Sequence, residues 1–223
     1  MKKYSAEDLK TFEIVDDYIV CPSGDYTAID NFPIRCRFGE WCSFGERCSF
    51  GERCSFGEWC RFGELCSFGE RCSFGERCSF GEWCSFGERC SFGERCSFGE
   101  RCSFGERCSF GEWCSFGERC SFGEGCSFGE RCSFGEWCSC EFGEFYHMIS
   151  CGGFGRENRT TYFFGMEDGR VCVRCGCFAG TLSEWEEKVT KTHKETPLAK
   201  AYLALIEPVK IMMRFKLKRR TEK

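Results

Sequence analysis

Two side-chain types in this chain could do chemistry, and their spacing says which. There are 24 cysteines and 2 histidines. Thiols bind metals, form disulfides and act as nucleophiles; imidazoles bind metals and move protons. Eighteen of the cysteines fall on every sixth position from Cys36 to Cys138. Flexible thiolate clusters need converging Cys-x-Cys pairs and few aromatics. Here each cysteine from Cys36 to Cys132 is followed two residues later by Phe, and a free thiol in such a place reads as a small interior hydrophobe. Outside that run, Cys172, Cys175 and Cys177, with Cys151 or His193, are the candidate zinc ligands. A Cys-x-x-Cys pair suits zinc, but structural sites usually set two such pairs against each other. In a strand, Cys172 and Cys175 also point to opposite faces. The expectation there is buried or idle thiols, with no metal. No phosphate-binding Gly loop, nucleophile elbow or paired-His metal helix occurs, so neither catalysis nor a cofactor is expected.

The elements that must position these residues follow from the period. A repeat of six does not suit an α-helix, whose apolar stripe recurs every three and four residues. It does not suit collagen, which needs Gly at every third position. Phe recurs at every sixth position from Phe38 to Phe134, Gly follows nearly every Phe, and Glu nearly every Gly, giving C-S-F-G-E-R as the unit. Cys and Phe, two apart, share one face of an extended strand, with Ser between them pointing out. Gly is the type that most easily takes positive φ, so each unit reads as a short strand and a corner at Gly-Glu. Strand and corner in alternation close a polygonal coil, and the expected fold is mainly β. Stacked coils bring cysteine Cα atoms within disulfide range, so oxidised ladders are compatible with this arrangement without being required.

At this point the chain resembles the hexapeptide-repeat family of left-handed parallel β-helices. Phe38-Gly39-Glu40-Trp41-Cys42-Ser43 fits that family's unit, with Phe in the aliphatic place and Cys in the small one. The resemblance covers about half the chain and departs from the family in using Phe, which implies a differently packed core. It implies three hexads per triangular coil, hence about six coils. At ~4.8 Å per stacked strand that is a length on the order of 29 Å. Trimers are common in that family, and so is acyl transfer, which would require His147 or His193 beside a cofactor groove. Both histidines lie outside the coils, and no loop interrupts the repeats to shape a pocket.

Eighteen residues per coil place residues eighteen apart above one another. The position before Cys then sorts into three columns. One reads Arg35, Arg53, Arg71, Arg89, Arg107, Gly125; another Trp41, Trp59, Arg77, Arg95, Trp113, Arg131; the third Arg47, Leu65, Trp83, Arg101, Arg119, Trp137. Trp and Arg are favoured interface anchors, which makes Trp41, Trp59, Trp83, Trp113 and Trp137, with Arg53, Arg71, Arg89 and Arg107, the candidate interaction residues. The competing reading is that Trp stacks on its neighbours and Arg pairs with the corner Glu.

The sequence divides into 1–31 as an N-terminal cap, 32–144 as the repeat, and 145–223 as a C-terminal cap of β-hairpin and two helices with a basic tail. Ser5-Ala6-Glu7-Asp8 starts a short helix and Glu13–Val20 adds a strand. At Cys138-Ser139-Cys140-Glu141-Phe142, two extra residues shift Phe out of register and end the solenoid. Arg159–Met166 and Arg170–Cys177 flank a turn at Glu167-Asp168-Gly169. Thr181 opens a helix to about His193 through a capping box. Thr196-Pro197 starts another, from Leu198 to about Phe215, which Pro208 should kink. The C-terminal region resembles the ending of uncharacterised bacterial and phage proteins that carry such repeats, through Gly176-Cys177-Phe178 to Thr181, His193 and Ala199–Ile206.

Net charge runs from −4 over residues 1–31 and −6 over 32–144 to +6 over 145–223. Lys216, Lys218, Arg219 and Arg220 form the one basic cluster that could meet nucleic acid. No 18-residue apolar stretch exists, so no membrane span is expected; the start lacks a signal peptide, and a cytoplasmic location is expected. The functional expectation is a non-enzymatic interaction or scaffold protein, self-associating as a dimer or trimer or binding another protein. Its first rival is a phage-derived inhibitor of a host defence protein such as a nuclease, and its second a hexapeptide-type acyltransferase.

Overall fold

The computed structural model describes the backbone of the chain except residues 155–158 and 222–223, and the side chains except 153–159 and 218–223. Two compact units result, Met1–Glu141 and Phe142–Lys223.

The first unit is a parallel β-solenoid. From Ser43 to Phe134 each hexad contributes a two-residue strand, Ser-Phe or Arg-Phe, which pairs in parallel with strands eighteen residues away: Ser79 with Ser97, Phe80 with Phe98. Three hexads therefore close one coil, and three sheets run along the stack. Backbone groups are satisfied between coils. Ser79 N–H donates to the Cys60 carbonyl at 2.9 Å, Gly81 N–H to that of Phe62 at 3.0 Å, and Trp83 N–H to that of Glu100 at 2.9 Å. The same three bonds recur down the stack and replace the helix or hairpin pairing the short strands lack.

The corners differ from expectation. Positive φ belongs to the residue before Cys: Leu65 at 59°, Trp83 at 60°, Arg101 at 59°. The repeat glycines lie outside that region; the solenoid's one positive-φ glycine is Gly125, at 77°, which itself stands before a Cys. Gly is required for a different reason. A Cβ on Gly81 would lie 2.7 Å from both the Glu64 nitrogen and the Gly63 carbonyl carbon of the previous coil. The glycine column is where backbones come closest. The αL corners thus carry strain on non-glycine residues, ~1–2 kcal/mol each. Leu65 is half exposed. Leu65→Asn, a type that accepts αL more readily, should raise stability by about 0.5–1 kcal/mol, read as a higher urea midpoint at unchanged m-value.

Inside, Phe rings form three columns. Phe80 lies parallel to Phe62 and Phe98 at 4.8 and 4.9 Å, and edge-on to Phe68, Phe74, Phe86 and Phe92. Both arrangements suit the ring quadrupole. The cysteines alternate with these rings, all but Cys132 in the repeat buried, and from Cys60 to Cys138 each thiol donates to a glycine carbonyl one coil back, Cys96 to Gly75 at 3.4 Å. All are free thiols.

The solenoid reaches further back than the repeat. After helix α1 (Ala6–Leu9), capped by Ser5 and Asp8, the chain forms a hairpin of Ile14–Val15 and Tyr18–Cys21 where one strand was expected. Tyr18–Cys21 then pairs in parallel with the first repeat strand. Tyr26 takes a Phe place, stacking on Phe44 at 5.5 Å, and Tyr4 covers Tyr26 at 4.9 Å. With this extra turn the stack has about seven coils. At the other end no insertion shifts the register: Ser139 still pairs with Ser121, and Cys140 stands where the next Phe would be. The aromatic column stops for want of a ring.

The second unit is a four-stranded antiparallel sheet, Gly143–Phe154, Arg159–Met166, Val171–Cys175 and Phe178–Thr181, in sequence order. The third strand ends at Cys175, because Gly176 takes φ 59° and turns the chain into a fourth. Phe163 and Val173 pack with Trp185 of α2 (Leu182–His193), Tyr202 of α3 (Pro197–Leu203) and Val209 of α4 (Ile206–Thr221). Thr181 and Glu184 form the capping box of α2. The expected single helix from Leu198 is two. Pro208 sits in the first turn of α4, where its missing N–H costs nothing, and the chain breaks at Ala204–Leu205 instead of kinking.

Candidate functional site

The αL backbone of the residue before Cys turns its side chain outward at the corner, so the Trp and Arg columns run along edges of the solenoid and the Ser columns along its flats. Two edges carry Trp. On one, Trp41 and Trp59 stack at 5.0 Å with planes 2° apart, and Arg77 lies over Trp59 at 4.6 Å. Further along it Arg131 covers Trp113 at 4.5 Å, and on the other edge Arg101 covers Trp83 at 4.5 Å. Such exposed contacts contribute ~0.5–1 kcal/mol each. Stacking buries Trp59 in part, yet Trp41, Trp83, Trp113 and Trp137 keep 54, 48, 44 and 44% of their surface exposed.

The third edge differs. Among the described residues, Arg53, Arg71, Arg89 and Arg107 make no side-chain hydrogen bond or ion pair, and the expected pairing with corner Glu is absent there; Arg35 alone on that edge meets a carboxylate, Asp17, at 3.2 Å. These guanidiniums form a ladder of like charge beside the parallel ladder of Glu52, Glu70, Glu88 and Glu106.

The zinc candidates do not converge. Cys172 is buried, Cys177 exposed, and Cys175 accepts from the Thr161 hydroxyl at 3.2 Å. Among the described residues no group of three His, Cys, Asp or Glu is placed to hold a metal ion. His147 sits in the first strand of the second unit, where burial and the nearby Lys216 ammonium lower its pKa. His193 ends α2, tilted against the Tyr202 ring at 6.0 Å. A groove of about 460 Å³ in this unit is lined by Tyr146, Arg170, Leu182, Ser183, Glu186 and Lys210. Lys216 lies on α4, while the side chains of Lys218, Arg219 and Arg220 fall outside the described residues.

Sequence comparison gives one family match. The model of an RNA-binding, Nab2-type zinc finger matches overlapping stretches that together span residues 31–51 and 59–139, under half of the chain. No His lies in those stretches, and cysteines there such as Cys84, Cys96 and Cys108 point into the core and donate to glycine carbonyls. The likeness is one of cysteine spacing, without the ligand set that a zinc finger closes on its ion. No curated protein and no solved structure matches the chain.

Proposed function

We propose that the protein is a non-enzymatic interaction protein whose solenoid binds through its two Trp-bearing edges, in the first place to further copies of itself. The observation that carries this reading is the run of Trp side chains left about half exposed on those edges. Large aromatics are the costliest side chains to leave in water and the commonest anchors of interfaces, and each edge sets Trp one coil from an Arg. Like edges from two or three copies can interleave Trp and Arg while excluding water.

The test is solution mass by light scattering in reducing buffer, wild type beside Trp41→Ser/Trp59→Ser/Trp83→Ser. A defined dimer or trimer that becomes a monomer in the variant is the expected result. A monomer in both, with unchanged far-UV circular dichroism, overturns self-association. The unpaired Arg53–Arg107 ladder favours a second reading, an inhibitor that occupies a host nuclease or similar defence protein. Its mark would be a stoichiometric complex lost on Arg71→Glu/Arg89→Glu.

A further inference from the structure

The cysteines form three straight files of sulfur through the core. One contains Cys42, Cys60, Cys78, Cys96, Cys114 and Cys132. The rise from coil to coil is read from rings related by one turn: Phe50–Phe68 and Phe68–Phe86 are both 4.8 Å apart with planes 1° and 2° from parallel. The thiols follow the same translation, because each keeps one acceptor at nearly one distance: Cys78 to Gly57, Cys96 to Gly75 and Cys114 to Gly93, all 3.4 Å. Adjacent sulfurs in a file are therefore about 4.8 Å apart.

That distance discriminates between the things sulfur does. A disulfide needs ~2.05 Å. Tetrahedral zinc needs four sulfurs with ~3.8 Å edges around bonds of ~2.3 Å, and a file offers each gap two. With metal–sulfur bonds of about 2.3 Å, the length zinc shows, a linear two-coordinate ion needs two sulfurs about 4.6 Å apart, close to the spacing present. The angle fits as well. Inward side chains stand roughly perpendicular to their sheet, so an ion midway between stacked sulfurs meets each Cβ–Sγ bond near a right angle, where divalent sulfur holds its lone pairs. Charge selects within this class. The site is dry and apolar, and a buried net charge is costly. Two thiolates with a divalent ion are neutral; with a univalent ion they retain one negative charge.

We propose that vertically adjacent cysteines in each file form linear two-coordinate sites for soft d10 cations, Hg(II) ahead of Ag(I) or Cu(I). Each site takes up one ion between two sulfurs. Two S–H bonds break, two S–metal bonds form, and two protons leave to solvent. Glycine carbonyls such as that of Gly75 lose their thiol donor, a cost that the two S–metal bonds must exceed. The flanking thiols, and then burial, hold the protons on Cys96 and Cys102 well above the ordinary range, so the ion competes against a tightly held proton. Cys132, partly exposed at the end of its file, is the point of admission.

The files predict a result that thiol counting does not. Six sulfurs in a row make three pairs. Removing Cys78 and Cys96 leaves Cys42/Cys60 and Cys114/Cys132, a loss of one ion. Removing Cys60 and Cys78 strands Cys42 and leaves three sulfurs that hold a single ion, a loss of two. The experiment titrates the full-length reduced chain, carrying Cys177→Ser to remove the exposed thiol, with mercuric chloride alone. It reads sulfur-to-metal charge-transfer absorption, proton release and far-UV circular dichroism. Expected are losses of one ion for Cys78→Ala/Cys96→Ala and two for Cys60→Ala/Cys78→Ala, two protons per ion, a retained fold, and fewer ions bound when silver replaces mercury. Equal losses in the two variants overturn the proposal, as does uptake that occurs only with collapse of the β signal. Should either double variant misfold, one proton per ion in the parent chain overturns it, and two with the fold intact supports it.

Discussion

Phe80→Ala should destabilise the solenoid by about 3–5 kcal/mol, the cost of removing a buried aromatic from a site that cannot collapse. Phe80 touches six other rings, two face to face and four edge-on. Its neighbours are themselves fixed by stacking above and below, so none can move in without breaking its own column. The void therefore stays open. In a solenoid each coil contacts only its neighbours, and stability is a sum of coil and interface terms. The loss is accordingly local. Urea unfolding followed by circular dichroism should show a lowered midpoint, and hydrogen exchange should show the amides of residues 61–99 opening ahead of those at either end. Uniform weakening along the whole stack would mean that the coils are more strongly coupled than nearest-neighbour packing allows.

Gly81→Ala should cost about 2–4 kcal/mol, above the usual 1–3 kcal/mol for overpacking, for a reason unrelated to backbone freedom. The added methyl would sit 2.7 Å from backbone atoms of the coil beneath, and backbone cannot rotate aside as a side chain can. The coils must part, lengthening the hydrogen bond from Gly81 N–H to the Phe62 carbonyl and its neighbours. Gly152→Ala is the control, since a Cβ there meets nothing closer than 3.7 Å; it should change stability by under ~0.5 kcal/mol. Equal effects at the two sites would show that glycine's entropy, not the approach of the coils, governs the repeat.

These two residues also mark how far the sequence could be read. The period of six, with Cys and Phe two apart, was enough to give short strands and a Phe/Cys core, because only one face of a two-residue strand can point inward; three strands per coil, and so three parallel sheets, came from the resemblance to hexapeptide-repeat β-helices. The corner was assigned to the wrong residue. Glycine is used both where φ is positive and where backbones touch, and a local pattern does not separate the uses. The chain did contain the answer. Pro33 occupies the glycine place in the first hexad and Gly125 the place before Cys; proline excludes positive φ from the former, and glycine points to it at the latter. The extra N-terminal coil was hidden because Tyr26 replaces Phe and the linking residues lack the motif, although Tyr26 and Phe44 are eighteen apart. The Trp and Arg columns were legible as columns. That they stand on edges depends on the αL corner and was not. The fourth strand of the second unit, Phe178–Thr181, follows a Gly176 turn inside what read as one continuous strand.

The coils are translational copies, and this bears on how such a protein can change length. A gain or loss of eighteen residues adds or removes one turn and leaves every column of the remaining solenoid in line: Phe on Phe, Trp edge on Trp edge, Arg edge on Arg edge. A gain or loss of six conserves the core equally well, since every hexad supplies the same Phe and Cys. It carries all later corners one third of a turn around, however, so that Trp113 or Trp137 can come to stand above the arginines. The interior accepts any multiple of six, and the exterior keeps its pattern only at multiples of eighteen. In the coding sequence these are steps of 18 and 54 nucleotides. Recombination between repeats can thus vary the length of the solenoid without penalty to folding, while the arrangement of its outer edges records which steps were taken.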